Sequence, residues 1–143
     1  MRRLWSGVGG ACVALAIVGA CLATRPAAAG PEEPPAALEG EWKLAGWNVG
    51  VARDGAPSYT GTVNLDHRGK GTFLVTWSVG GKKVNEGVGL WDGRTRAFAS
   101  GYAIQGQAGV AIFQLSQDGK VLDCVGTFKG KIGEVAYEEW KRE

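Results

Sequence analysis

The chain is poor in the residues that most chemistry needs. Its 143 residues include one histidine, His67, and three cysteines, Cys12, Cys21 and Cys124. One imidazole and unpaired thiols give no zinc constellation, so no metal site is expected. Nor is there a nucleophile elbow, a phosphate-binding loop or a dinucleotide fingerprint, and neither a catalytic residue nor a cofactor is expected. Basic excess is missing too: taking Arg2, Arg3 and Arg25 from the 16 basic residues leaves 13 against 14 acidic ones. That balance gives no basic stripe for nucleic acid. From Leu38 onward no segment places apolar residues at helical spacing over about ten residues.

Long hydrophobic runs are equally scarce. A membrane span needs roughly 20 apolar residues; the run from Val8 to Ala23 is shorter and breaks at Thr24-Arg25-Pro26. With Arg2 and Arg3 before it and Ala27-Ala28-Ala29 after it, residues 1–29 read as a cleaved export signal. Val18-Gly19-Ala20-Cys21 resembles a bacterial lipobox, so Cys21 is a candidate for lipidation, with a membrane reached only through that anchor. Residues 30–37, rich in Pro and Ala, read as a linker, and 38–143 as the folded domain. The expected location is periplasmic or secreted, or membrane-anchored as a lipoprotein. Without its leader the domain keeps only Cys124, so no internal disulfide can form. In "KVLDCVGTF" that cysteine reads as a buried small hydrophobe.

What the domain has in abundance is turn chemistry. Asp54-Gly55, Arg68-Gly69, Gly80-Gly81, Asp92-Gly93, Gln105-Gly106, Asp118-Gly119 and Lys129-Gly130 punctuate runs of alternating polarity. Such pairs close hairpins because the primed turns need positive φ. The pattern predicts eight strands, at 40–48, 57–65, 71–79, 83–91, 94–102, 108–116, 120–128 and 132–141. Loops this short cannot make crossovers, so each strand pairs antiparallel with the next. An eight-stranded antiparallel meander hides its edges by closing into an up-and-down barrel, and two stacked sheets would want a longer connection.

Alternation within strands then sorts inside from outside. Phe73, Val75, Trp77 and Val79 share one face, and so do Tyr59, Gly61, Val63 and Leu65; the hydroxyl-rich faces opposite are assigned to solvent. The opposite assignment, a polar lumen, would reverse which residues meet a ligand. Glycines inside strands, among them Gly61, Gly87, Gly89, Gly109 and Gly126, read as corners that let a small barrel bend. His67 reads as a turn residue in "DHRG". Glu134 and Glu138 share a face whose alternation with Val135 and Tyr137 is that of a solvated surface, which leaves an acidic-residue hydrolase as a weak third reading.

Aromatics are the more suggestive class. Of six tryptophans, five (Trp42, Trp47, Trp77, Trp91 and Trp140) follow Leu38. Most must fill the core, but aromatic barrel mouths also hold small apolar ligands. Trp77, Trp91, Tyr59 and Tyr102 are the candidate ligand-binding residues.

Gly40-Glu41-Trp42 in the first strand resembles the calycins, the lipocalins and avidins, and "YTGTV" (Tyr59 to Val63) and "VTW" (Val75 to Trp77) are similar to avidin strands. The resemblance implies a barrel whose Trp42 packs across a closed end, with Gly40 letting the chain turn in. Val63 stands where avidins carry a ligand tyrosine, so biotin is not the implied ligand. "LEGEWKLAG" is also similar to the opening of periplasmic inhibitors of secreted metalloproteases, small barrels with a disulfide that this chain lacks. The expected function is an exported, non-enzymatic binding module for a small apolar ligand or a surface; the alternative is a protein partner, as a protease inhibitor.

Overall fold

The structure, a computed structural model, describes residues 33–142, and the expected signal, the lipobox-like segment and the first three residues of the expected linker lie outside them. Eight strands follow in order: β1 Gly40–Trp47, β2 Tyr59–Gly69, β3 Thr72–Val79, β4 Lys82–Asp92, β5 Ala97–Ile104, β6 Gln107–Leu115, β7 Val121–Phe128 and β8 Ala136–Lys141. Each pairs antiparallel with the next, and β8 returns to β1 from Lys43↔Lys141 to Trp47↔Tyr137, closing the barrel. Closure removes every sheet edge. Two of the turns that the sequence announced show it directly: Gly80 and Gly81 have φ of 59° and 74°, and Gln105 and Gly106 have 49° and 77°. Both pairs hold the positive φ values of a primed hairpin turn.

Boundaries shift where side-chain period alone is silent. β2 runs on to Gly69, so His67 sits within a strand, its ring 4.9 Å from that of Phe73. β8 begins only at Ala136, because Lys129–Lys131 form a short 3₁₀ turn that delays pairing.

Strand parity puts Trp42, Val63, Leu65, Phe73, Val75, Phe98, Phe113, Leu122 and Trp140 inside, all buried. Phe113 and Trp140 lie 4.1 Å apart between ring centroids, and Phe98 meets Phe73 edge-on at 5.5 Å. Tilted and edge-on contacts of this kind add to the stabilisation from burial alone.

The inward glycines serve a purpose other than bending. A Cβ on Gly89 would lie 2.1 Å from Cζ of Phe98, and one on Gly109 2.4 Å from Cε2 of Tyr102. These glycines leave room for a neighbouring strand's aromatic ring, a pairing that also fixes register. On Gly61 and Gly87 a Cβ would meet backbone instead, 2.0 Å from the carbonyl oxygen of Ser78 and 2.4 Å from that of Gly101. The corner reading is thus replaced by one of close approach. With glycine facing in, β4 turns Val88 and Leu90 outward, and β6 turns out Val110 and Ile112, all four exposed.

Candidate functional site

The strand directions divide the barrel into two ends. The start of β1, the end of β8 and the β2–β3, β4–β5 and β6–β7 turns share one end; the β1–β2, β3–β4, β5–β6 and β7–β8 connections share the other.

The first end is shut. Gly40 at φ 102° turns the chain in, a backbone angle that side chains resist. Leu38, in the 3₁₀ turn Ala36–Leu38, is buried, and its carbonyl accepts a hydrogen bond from Nε1 of Trp42 at 3.0 Å. Arg142, just past β8, lays its guanidinium 4.7 Å from the Trp42 ring centroid and donates to the carbonyl of Glu39. The indole is therefore held by packing, a hydrogen bond and a cation–π contact.

The second end opens into a cavity of about 430 Å³. Its upper walls are apolar, from Val79 and Val84 on one side to Ile104 and Phe128 on the other, with Lys131 at the rim. Asn85 joins the lining through a bulge: Trp77 pairs with Asn85 but Ser78 with Lys83, leaving Val84 as the extra residue. A bulge of this kind re-aims side chains at a site. Lower down, Tyr59, Trp77 and Tyr102 form an aromatic tier, with the Trp77 and Tyr102 rings 5.7 Å apart.

Bonded to that tier is the group that sequence reasoning missed. Glu138 faces inward, and three neutral donors converge on its carboxylate. Tyr59 Oη donates at 2.7 Å to Oε1; Trp140 Nε1 at 2.8 Å and Trp77 Nε1 at 3.2 Å both donate to Oε2. The assignment of Glu138 to a solvated face is corrected: Trp140, two residues on and fully buried, must point the same way. That parity was the available signal, masked by treating Val135 and Tyr137 as the inner face. Glu134, by contrast, is exposed beside Lys131.

Burial raises the Glu138 carboxyl above its ordinary range, more than the bonds from Tyr59, Trp140 and Trp77 lower it. Burial first, then the charge of Glu138, pushes the Tyr59 hydroxyl far up. Tyr102 rises to about 12, chiefly through burial. Cys124, also on the cavity, is driven up by burial and by Glu138, so it remains a thiol and a poor nucleophile.

Of the four sequence candidates, Tyr59, Trp77 and Tyr102 meet on this cavity. Trp91 does not. It is 4% exposed in the packed half, its backbone N–H bonded to the carbonyl of Gly71 at 2.8 Å. Its place beside a turn, which made it look like a mouth residue, puts it near the shut end. Among the described residues no group of three or more His, Cys, Asp or Glu could hold a metal ion.

Gly46 belongs to the site through the space it leaves. A Cβ there would fall 2.1 Å from Cζ of Tyr59 and 2.5 Å from its Oη. In Gly46→Ala the ring must swing away and lose its bond to Glu138. Ultraviolet titration should then find the Tyr59 hydroxyl ionising closer to the ordinary tyrosine range. An unchanged titration curve would show that the ring had not moved.

No family model matches the chain, and no curated protein matches it. Among solved structures the barrel is similar to the REP1-NXSQ fatty acid transporter (14% identity, 76% of this chain and 98% of that one, TM-score 0.48). It is also similar to fluorescent protein UnaG wild type (14%, 73% and 96%, 0.43) and to Echinococcus granulosus fatty-acid-binding protein 1 (11%, 74% and 97%, 0.44). The up-and-down barrel architecture rests on the closed strand order itself.

Proposed function

We propose that the protein is an exported, non-enzymatic barrel that binds one small, mostly apolar ligand through its open end. The cavity is the observation that carries this reading. At about 430 Å³ it falls within the range of small-molecule sites, and it has the usual composition of one, apolar walls with a few converging polar groups. Support for binding over catalysis comes from the chemistry of the lining. Glu138 is the one carboxylate among the described lining residues, whereas glycoside hydrolysis uses a pair. The export part of the reading rests on the leader-like residues 1–29.

A neutral hydrophobic probe such as phenylnaphthylamine tests it. Binding should quench tryptophan fluorescence, because Trp77 lines the cavity. Trp77→Ala should weaken binding at least about tenfold, the loss of an aromatic contact worth on the order of 1.4 kcal/mol. Unaltered binding in that variant would defeat the assignment.

A further inference from the structure

We propose that the ligand carries a cationic head, a protonated amine or comparable ammonium, seated against Glu138 beside the aromatic tier. This rests on the cavity being the ligand site and names what that site selects.

The geometry makes three points. First, the carboxylate is the one acidic group in the described lining, and it is bonded directly to Tyr59 and Trp77 of the aromatic tier. Its three partners are neutral donors. They hold it in place without cancelling its charge, and a carboxylate can accept about four hydrogen bonds, so one acceptor direction remains. An ammonium entering from the cavity supplies both the fourth donor and the missing positive charge, in surroundings where such bonds are strong.

Second, the rings beside the carboxylate are those that attract cations. Trp77 and Tyr102 stand 5.7 Å apart on the cavity that Glu138 also lines. Aromatic faces add to ammonium binding through their quadrupoles, most when the site is desolvated. Third, the upper walls of Val79, Val84, Ile104 and Phe128 suit an apolar body trailing toward the mouth. A ligand with a carboxylate head would instead place like charge beside Glu138, and the cation it could use, Lys131, is at the rim next to Glu134 at 3.4 Å.

The ionised carboxylate is the form that binds the amine. Around it, Tyr59 from β2, Tyr102 from β5 and Cys124 from β7 are kept protonated by burial. Leu44 from β1, Trp77 from β3 and Trp140 from β8 do not titrate. Amine affinity should therefore rise with pH through the titration of Glu138, while an alkylamine itself stays protonated below about pH 10.

Octylamine, octanol and octanoate, matched in length, provide the test, by calorimetry or by displacement of phenylnaphthylamine from the full-length protein. Octylamine should bind at least about tenfold tighter than octanol, and octanoate weakest of the three. In Glu138→Gln the amine-to-alcohol ratio should collapse toward one and lose its pH dependence. Equal binding of amine and alcohol by the unaltered protein would overturn the cationic head and leave the apolar ligand site standing. Tighter binding of octanoate would also overturn it, placing the head at Lys131. If none of the three binds and phenylnaphthylamine also fails, the ligand site itself falls, and this inference with it.

Discussion

Replacing Trp42 with alanine should lower the free energy of unfolding by about 3–5 kcal/mol. The indole is 1% exposed at the shut end, in a cluster that includes Leu38, Val63 and Leu65. Truncation leaves a void that rigid strands cannot collapse around, so the loss includes the cavity as well as the transfer of the ring to water. It also strands the Leu38 carbonyl, which accepts from Nε1 at 3.0 Å, and removes the surface beneath the Arg142 guanidinium. Both segments that cap the barrel, the 3₁₀ turn before β1 and the residue after β8, are tied through this one side chain. Trp42→Phe separates the contributions: it keeps most of the packing, loses the hydrogen bond, and should cost only about 1–2 kcal/mol. Urea unfolding followed by far-ultraviolet circular dichroism measures both. A loss below about 1 kcal/mol for the alanine variant would show that the ring does not plug this end.

The contrast between the two barrel ends marks what could be read from the sequence. Turn chemistry is local, so Gly80-Gly81 and Gln105-Gly106 announced their hairpins, and short hairpins in series left closure as the way to remove edges. Parity within β2 and β3 was legible because large apolar residues hold one face, which placed Tyr59 and Trp77 inside. Where glycine takes the inner face, the signal inverts. In "GVGLW" the apolar residues Val88 and Leu90 point to solvent, and Gly89 looks like a bend until Phe98 from the next strand is seen lying on it. Depth along the barrel was not legible at all. Trp77 and Trp91 are both inward aromatics, yet β3 and β4 run in opposite directions, so one ends in the cavity wall and the other in the packed half. Glu138 was obscured by its chemistry: a carboxylate alternating with apolar residues in a strand is ordinarily solvated, and three donors from β2, β3 and β8 become visible only when those strands meet.

Glu138→Leu should destabilise the barrel by about 2–4 kcal/mol, whereas Glu138→Gln should stay within about 1 kcal/mol of the parent. Leucine removes the acceptor shared by Trp77 and Trp140 and the one used by Tyr59. Water in the cavity can rescue Tyr59 and Trp77, which line it, but Trp140 is fully buried and its N–H is orphaned. Glutamine keeps one oxygen for the two indoles, and its amide N–H can donate to Tyr59, whose hydroxyl rotates from donor to acceptor. The same pair of proteins isolates the charge. Because the folded-state pKa of Glu138 is raised, the native protein retains, between the ordinary glutamate value and the raised one, a proton that the unfolded chain has released. Stability is therefore highest below the ordinary value and falls as pH rises through the raised one, by at most about 1.4 kcal/mol per pH unit. Subtracting the Glu138→Gln curve from that of the parent should expose this descending slope, opposite in sign to that of a salt-bridged carboxylate. A flat difference, or one that ascends with pH, would mean that the three hydrogen bonds outweigh burial and that Glu138 is ionised in the fold at little cost. Saturating octylamine should flatten the slope in the parent alone, since a cation beside the carboxylate offsets the desolvation that raises its pKa.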